Sequence, residues 1–288
     1  MTEGGSAEFW SGTDFPYMCL RDEVRTAALG AMIEKVVQPG DVVLDAGAGT
    51  GILSLFAARA GAGRVYAIEA EPVLARNLER TVRLNDYSDV IEVIGGDVRT
   101  FDRPVDVALI ELIETALLDE SVVEVYNELL RRGVLGPQTR IFPAAYTTYG
   151  ELVRIDREFH GFVIDAVGHE WSFYDDSPQR WGTRTVEPLT ERQAIWSGSF
   201  GTDPIEPEVD TLLRFPDDLP TGPGGVGALR LTGELQLPDG SVHTDFPSLN
   251  GPKIIPLDPP PTAASALRVR YVMAAGLSSL RLDWVDPA

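Results

Sequence analysis

The chain has 288 residues, of which 44% are hydrophobic and 24% charged, enough to bury the core of one large domain or two medium ones. Its formal net charge of −20 disfavours binding to nucleic acid or to an anionic membrane surface, and no apolar run is long enough to span a bilayer. A single cysteine and three scattered histidines predict no internal disulfide, no metal site and a reducing, cytoplasmic location.

The N-terminal residues 1–20 begin polar and glycine-rich and then carry aromatic side chains at Phe9, Trp10, Phe15 and Tyr17. This change in composition predicts a separate N-terminal segment. Its aromatic content is compatible with a lid that closes over a ligand.

A strand–turn–helix unit is predicted next. Apolar residues at helical spacing indicate an amphipathic helix over residues 22–35, and Pro39-Gly40 ends it. The run VVLDAGAGTG at 42–51 then reads as a buried strand followed by a glycine turn, and the apolar, alanine-rich residues 52–60 as a helix. This order is typical of the first part of a nucleotide-binding βαβ unit.

The glycines Gly47, Gly49 and Gly51 allow a tight turn and a close approach of the backbone to a ligand, where a Cβ would clash. The second strand, 64–69, ends in Glu69, at about the distance of 20 residues from the turn that is expected of a ribose-binding acid. A purely structural glycine turn is the alternative, and the agreement of the flanking strand and helix with a βαβ unit weighs against it.

Asp45 stands before the glycines, and Thr50 stands where a diphosphate would need an open helix N-terminus. An acidic residue at this point favours a cationic ligand that carries no phosphate. S-adenosylmethionine has an ammonium, a sulfonium and a ribose, and the DAGAGTG run resembles the first motif of the class I methyltransferases. Dinucleotide binding is the second interpretation of this turn.

Strand and helix patterns alternate up to about residue 142, which predicts a parallel sheet covered by helices on both faces. Short β-like runs separated by turn residues follow from about residue 143, which predicts an antiparallel sandwich or barrel. The predicted strands are 91–94, 106–110, 146–155, 194–200, 228–237 and 267–273, the helices are 72–84 and 121–132, and a hairpin turns at Pro238-Asp239-Gly240.

Ligands of an open parallel sheet bind beyond the carboxyl ends of its strands. The third strand leads to Gly96-Asp97-Val98, which we expect to meet an adenine through the side chain of Asp97 and the backbone of Val98. The fourth strand leads to Glu111.

Glu111 and Glu120 are nine residues apart, a separation that a folded-back loop can close. Two carboxylates facing one cavity match the planar donors of a guanidinium. They would orient this weak nucleophile, polarise it and accept the proton it releases. The alternative for Asp119 and Glu120 is capping of the next helix, and Glu114 is assigned a structural role as readily as a functional one.

Three segments together resemble the protein arginine methyltransferases: LRDEVRT at 20–26, the glycine turn with the strand that follows it, and the loop between two glutamates. The resemblance extends over nearly the whole chain and implies a methyltransferase domain joined to a β-barrel. It implies S-adenosylmethionine as cofactor, Arg25 on its carboxylate, Glu69 on its ribose, and Glu111 and Glu120 as the glutamates that bind the acceptor.

The resemblance also implies a homodimer, in which a dimerisation arm covers about residues 160–188. The aromatic residues of this part of the chain suit a partner surface, although core packing is the alternative. They are Phe162, Trp171, Phe173, Tyr174 and Trp181.

Three segments depart from the family pattern, all on the acceptor side. Leu112-Ile113-Glu114 replaces Trp-Met-Gly, residues 246–251 replace the Thr-His-Trp loop, and Phe9-Trp10 replaces an N-terminal Tyr-Phe motif. The acceptor is therefore less well defined than the cofactor: a small guanidine such as free arginine, or an arginine-bearing natural product, competes with peptidyl arginine.

We therefore predict an S-adenosylmethionine-dependent N-methyltransferase acting on a guanidino group, with an N-terminal segment (1–20), a Rossmann-like cofactor domain (21–142) and a β-barrel domain (143–288). Its predicted partners are a guanidino small molecule or peptide and a second copy of the chain. A second hypothesis keeps the cofactor and changes the acceptor to an amine, hydroxyl or carboxyl group of a natural product. A third is a non-catalytic scaffold.

Overall fold

The computed structural model describes residues 14–169, 185–216, 218–220, 225–244, 251–258 and 266–286. Among them, no helix combines the length and apolar character needed to cross a membrane, and no group of three or more Cys, His, Asp or Glu side chains could hold a metal ion. Several residues singled out in the sequence lie outside the described ranges: Phe9, Trp10, Trp171, Phe173, Tyr174, Trp181 and residues 246–250.

The first half of the chain forms a five-stranded parallel sheet with strand order β3-β2-β1-β4-β5. The chain runs outward from β1 to β3 and then crosses back to place β4 on the other side of β1, so a topological switch point lies between β1 and β4. The strands are β1 (Val42–Ala46), β2 (Arg64–Glu69), β3 (Ile91–Gly95), β4 (Val107–Ile110) and β5 (Arg140–Phe142).

Two helices of this half begin at a side-chain cap. The side chain of Asp22 accepts a hydrogen bond from the Arg25 N–H at 3.0 Å, and that of Glu71 accepts one from the Leu74 N–H at 2.7 Å. The helices are α1 (Asp14–Arg21), α2 (Glu23–Val36), α3 (Ile52–Arg59), α4 (Pro72–Leu84) and α5 (Val122–Arg131).

Helix α1 was not predicted, and the predicted boundary after residue 20 falls inside it. Its eight residues give too little periodicity for a helix to be assigned from the sequence. In the parallel half, no predicted boundary differs from the observed one by as much as three residues. The strand β2 and the helix α4 begin and end at the predicted residues.

The second half is antiparallel. One sheet has the order β10-β6-β13-β15-β9, with β11 also paired to β6 and β14 to β13, and a second has the order β12-β16-β17. The longer strands are β6 (Ala145–Ile155), β11 (Gln193–Ser199), β12 (Glu208–Leu213), β13 (Ala228–Gln236), β15 (Lys253–Pro256), β16 (Ala266–Val272) and β17 (Arg281–Val285). The short strands are β7 (Glu158–Phe159), β8 (Phe162–Val163), β9 (Gly168–His169), β10 (Val186–Pro188) and β14 (Val242–Thr244).

The two antiparallel sheets share a core at Gly150 of β6. A Cβ at this position would lie 2.8 Å from the side chain of Ile195 and 3.2 Å from those of Leu213 and Leu229, which come from β11, β12 and β13. The absence of a side chain at Gly150 therefore lets three strands pack closely, as in a sheet that curls on itself.

Polar contacts join the two halves. Asn127 in α5 exchanges two hydrogen bonds with the backbone of Ile205, both at 2.8 Å. Lys35 at the end of α2 pairs with Asp239, at the turn of the predicted β13–β14 hairpin, at 2.9 Å. These contacts attach α2 and α5 of the parallel half to the antiparallel half.

Candidate active site

A cavity of about 470 Å³ opens at the carboxyl ends of the parallel strands. Its walls come from α1, the turn after β1, the ends of β2 and β3, and the loop after β4, so it lies at the switch point of the sheet. The predicted site residues on its walls are Arg25, Gly47, Gly49, Thr50, Glu69, Asp97, Val98, Glu111 and Glu120. Asp45 and Gly51 are not on its walls.

The turn after β1 needs its glycines. Gly47, Gly49 and Gly51 have φ values of 76°, 51° and 84°, which lie in the left-handed region. A Cβ at Gly47 would lie 2.7 Å from Leu112, and one at Gly51 would lie 2.2 Å from Leu78. The turn therefore closes tightly over the cavity on one side and packs against α4 on the other.

Asp45 lies behind the turn rather than on the cavity wall. It is 1% exposed, and its carboxylate accepts a hydrogen bond from the Ser54 hydroxyl in α3 at 2.6 Å. Burial raises the pKa of Asp45 to about 7, and the bond from Ser54 only partly offsets this effect. Ser54 was not singled out in the sequence, where it is one polar residue in an apolar helix.

Glu69 organises the turn from the next strand. Its carboxylate accepts one hydrogen bond from the Gly49 N–H and one from the Glu71 N–H, both at 2.8 Å. Each carboxylate oxygen can accept a second hydrogen bond, so Glu69 keeps acceptor capacity for a ligand hydroxyl while it fixes the turn.

Beyond β3, Val98 is buried at the cavity wall, whereas Asp97 is bound to its neighbour Arg99. The Asp97 carboxylate accepts from the Arg99 backbone N–H at 2.9 Å and from its guanidinium at 2.7 Å. Hydrogen bonds from Arg99 hold the pKa of this carboxyl below its usual range. The expected adenine contact through Asp97 would thus share a carboxylate that Arg99 already occupies.

The Arg25 guanidinium and the Glu111 carboxylate form an ion pair at the mouth of the loop after β4. Arg25 is 4% exposed, and Glu111 projects from the end of the fully buried strand β4. Burial raises the pKa of Glu111, and the charge of Arg25 offsets part of that rise. Thus the residue predicted to bind the cofactor contacts the residue predicted to bind the acceptor.

Glu120 closes the same loop and faces the same cavity. Its Oε2 atom is buried and has no hydrogen-bond partner within the part of the chain that the structure describes. Burial and the neighbouring carboxylates of Glu111 and Glu114 raise the pKa of Glu120 well above its usual range. A buried, unpartnered carboxylate oxygen is costly unless a ligand satisfies it.

The loop between the two glutamates is held by the antiparallel half. Ala116 and Leu117 have positive φ values of 68° and 55°, a conformation that such residues rarely adopt. Hydrogen bonds from outside the loop hold this backbone. They join Thr115 Oγ1 to the Gly251 carbonyl at 2.7 Å, the Ala116 N–H to the Tyr146 hydroxyl at 3.3 Å, the Ala274 N–H to the Leu117 carbonyl at 3.0 Å and the Gly276 N–H to the Leu118 carbonyl at 2.7 Å.

An ion cluster completes this attachment. Lys253 is fully buried and contacts the carboxylates of both Glu114 and Asp119, the latter at 2.8 Å. The alternative that Asp119 and Glu120 cap α5 is wrong, because Ser121 is the N-cap residue and makes no side-chain bond. The sequence analysis assigned no role to Lys253, and a lysine in an otherwise apolar β-strand pattern was the signal that could have found it.

Comparisons with known proteins agree with this architecture. The model of the TRM5/TYW2 methyltransferase domain matches residues 24–134. An arginine N(omega)-methyltransferase of Streptomyces achromogenes subsp. streptozoticus is 29% identical over 94% of this chain and 76% of its own length. The chain is thus similar to the class I arginine methyltransferases.

Two further comparisons define the extent of the likeness. An uncharacterized protein of Methanocaldococcus jannaschii is 39% identical to this chain over 139 residues, which are 48% of this chain and 53% of that protein. The chain thus aligns with about half the length of this relative. The structure of the PRMT1 enzyme–prozyme heterotetramer of Trypanosoma brucei with AdoHcy has a TM-score of 0.63 at 17% identity, covering 92% of this chain and 95% of that one. This structural likeness establishes the Rossmann-like domain joined to an antiparallel β-barrel.

Proposed function

We propose that this methyltransferase transfers a methyl group from S-adenosylmethionine to a nitrogen of a guanidino group. The observation that carries the proposal is the pair Glu111 and Glu120 on one cavity wall, with a buried Glu120 oxygen that has no partner among the described residues. A guanidinium supplies the positive charge and the planar donors that such a pair of carboxylates requires.

The cavity fits the cofactor. Its volume of about 470 Å³ lies within the range of small-molecule sites. Arg25 would bind the carboxylate of the cofactor, and Glu69 would bind its ribose hydroxyls. The backbone of the turn from Gly47 to Thr50 would lie against the cofactor. S-adenosylmethionine supplies an electrophilic methyl group on a sulfonium.

Glu111 and Glu120 would act on the acceptor. Bidentate contacts would fix the plane of the guanidinium and draw its charge toward the carboxylates, which leaves the remaining nitrogen a better nucleophile. A guanidinium nitrogen that gains a methyl group loses one proton, and the raised pKa of Glu120 suits it to accept that proton. Most of the rate enhancement would come from positioning.

The acceptor that we favour is free arginine or a small guanidine. The relative from Streptomyces, which aligns over most of both chains, is named for arginine itself, and the altered acceptor-side segments distinguish this chain from the family pattern. Peptidyl arginine is the second candidate within the same reaction. An amine, hydroxyl or carboxyl acceptor from a natural product is the alternative. The altered acceptor-side segments support it, but the Glu114 carboxylate does not, because it is bound by Lys253 and lies off the cavity wall.

A homodimer is part of the proposal. Within the described part of the predicted arm at 160–188, the hairpin β7–β8 and the residues after it expose four apolar side chains, and the structure of the relative from Trypanosoma brucei is a heterotetramer. The exposed side chains are Phe162, Val163, Ile164 and Val167. A partner surface would cover them. A cytoplasmic location remains a prediction from the single cysteine.

The test is methyl transfer to a matched set of acceptors, with the products located by mass spectrometry. We expect arginine to be methylated on its guanidino group and citrulline to remain unmodified, because citrulline has nearly the same shape and no positive charge. An arginine peptide tests the second acceptor. Preferred methylation of ornithine on its amine would overturn the guanidino assignment in favour of the amine alternative.

A further inference from the structure

The cluster formed by Lys253, Glu114 and Asp119 lies beside the proposed acceptor site: Asp119 lines the cavity, whereas Lys253 and Glu114 lie behind it. Lys253 comes from β15, whereas the two carboxylates belong to the loop that carries Glu111 and Glu120. The lysine is 0% exposed and Glu114 is 2% exposed. A charge cluster this deeply buried is retained only when its geometry and hydrogen bonding are good.

The contacts of the cluster fix both the bend and the end of the loop. Glu114 accepts a hydrogen bond from the Asp119 N–H at 2.8 Å, so its carboxylate spans the turn formed by Ala116 and Leu117. The Lys253 ammonium reaches Glu114, the Thr115 carbonyl at 3.4 Å and Asp119 at 2.8 Å. Lys253 is thus bonded on both sides of the strained turn.

Asp119 precedes Glu120 directly, so the same contacts determine where the Glu120 carboxylate points. Lys253 also acts on Glu120 through its charge: its ammonium lowers the pKa of Glu120, against the opposing effects of burial, Glu111 and Glu114. The charged and titratable groups that act on Glu120 are Glu111, Glu114, Arg25 and Lys253, and Glu120 in turn acts on Cys19.

We infer that Lys253 is a positioning residue for the acceptor site: by binding Glu114 and Asp119 it holds the loop in the bend that aims Glu120 into the cavity. This inference rests on the proposed function for its catalytic consequence. Lys253 does not itself line the cavity, and it reaches the cavity wall only through Asp119.

The chain offers a matched control, because it has only two lysines. Lys35 also joins the two halves of the molecule through a carboxylate, Asp239, but its side chain is 66% exposed and lies away from the cavity. Comparing Lys253→Met with Lys35→Met therefore separates the loss of any cross-domain ion pair from the loss of the one at the loop.

In Lys253→Met, we expect kcat for the guanidino acceptor to fall about 10- to 100-fold, as a misplaced catalytic group does, while the affinity for S-adenosylhomocysteine stays within about twofold of the wild type. Loss of the positive charge raises the pKa of Glu120, so the acidic limb of the kcat profile moves to higher pH. Lys35→Met should leave both quantities at the wild-type value.

A second variant guards against a folding defect caused by the unpaired carboxylates. The double variant Glu114→Gln/Lys253→Met removes the charge of Glu114, which raises the pKa of Glu120, together with the charge of Lys253, which lowers it. The acidic limb of the kcat profile should therefore return toward its wild-type position. Because the loop has still lost its attachment, kcat should remain low.

A readout independent of turnover completes the test: the titration of the Glu120 carboxyl carbon by NMR, assigned by comparison with Glu120→Gln. A higher midpoint in Lys253→Met supports the inference even when the wild type methylates no guanidine, a result that would overturn the proposed function alone. Wild-type kcat together with an unmoved Glu120 midpoint in Lys253→Met would overturn the inference while leaving the proposed function intact.

Discussion

The two walls of the cavity are built in different ways. The wall assigned to the cofactor consists of strand ends and turns held by hydrogen bonds between residues near each other in the sequence. Examples are Glu69 and Gly49 on the wall, 20 positions apart, and Asp45 and Ser54 behind it, nine positions apart. The wall assigned to the acceptor is one loop held by contacts from residues more than 100 positions away, such as Gly251 and Lys253. The first is a local property of the βαβ unit, and the second depends on the packing of the two halves.

This difference has an energetic side. On the first wall, the Glu69 carboxylate is bound by backbone N–H groups and the Asp97 carboxylate by Arg99. By contrast, Glu111, Glu114 and Glu120 lie together and depend on Arg25, Lys253 and a ligand for compensation. Burial raises the pKa of all three. Substitutions on the two walls should therefore separate cofactor binding from turnover.

The largest expected effect is that of Glu120→Gln on turnover. Because the variant keeps the shape of the side chain and removes its charge and its capacity to accept a proton, we expect kcat to fall on the order of 10² to 10⁴-fold. Affinity for S-adenosylhomocysteine by calorimetry should stay within about twofold. Unchanged turnover would contradict a role for this carboxylate in the reaction.

Glu69→Gln should have the opposite profile. The amide places an N–H₂ donor against a backbone N–H and removes the charge that the two backbone bonds and a ribose hydroxyl share, so affinity for S-adenosylhomocysteine should fall about 10- to 100-fold. At saturating cofactor, kcat should change much less than in Glu120→Gln. Normal cofactor affinity together with a low kcat in this variant would contradict the assignment of Glu69 to the cofactor wall.

The contact between Arg25 and Glu111 couples the two walls. A cofactor carboxylate that binds Arg25 would weaken the ion pair between Arg25 and Glu111 and leave Glu111 available for a guanidinium. S-adenosylhomocysteine should therefore tighten arginine binding by roughly fivefold or more. Adenosine is the matched control, because it lacks the carboxylate and should produce no such gain. Equal tightening by both ligands would show that the coupling does not pass through Arg25.

The smallest effect concerns stability and pH. Burial raises the pKa of Asp45 and of Glu114 to about 7 each, so between about pH 5 and pH 7 the folded protein binds more protons than the unfolded chain. The free energy of unfolding of the unliganded protein should then decrease as the pH rises through this window. Acids with a lowered pKa, such as Glu128 and Asp239 at about 2, act only at lower pH.

Asp45→Asn tests this account, because it keeps a group that can bond Ser54 and removes the ionisation. The decrease in unfolding free energy between pH 5 and pH 7, from urea denaturation, should become smaller by at least about 1 kcal/mol. A slope equal to that of the wild type would mean that Asp45 ionises normally in the folded state.

The sequence was sufficient for the parallel half and for the cofactor wall, since alternating apolar runs and a glycine turn encode these features locally. β2 and α4 have the predicted bounds, and nine predicted residues reach one cavity. It was insufficient for Asp45, which was expected to face the ligand and instead bonds α3, because the direction of one side chain at a strand end depends on packing.

The acceptor wall was predicted only in part. The spacing of Glu111 and Glu120 indicated a folded-back loop, but nothing near them in the sequence indicated that Lys253 would bind Glu114 and Asp119. Such a contact joins residues about 140 positions apart, and only the packing of β15 against the loop brings them together. Helix α1 was missed for a different reason, its shortness.

The most direct test of the central claim is calorimetric titration of arginine into the protein saturated with S-adenosylhomocysteine, for the wild type and for Glu120→Gln. The account predicts binding of arginine by the wild type, no binding of citrulline, and loss of arginine binding in the variant at unchanged cofactor affinity. Tight binding of S-adenosylhomocysteine with no response to arginine or to an arginine peptide would contradict the guanidino assignment and leave a methyltransferase of another acceptor.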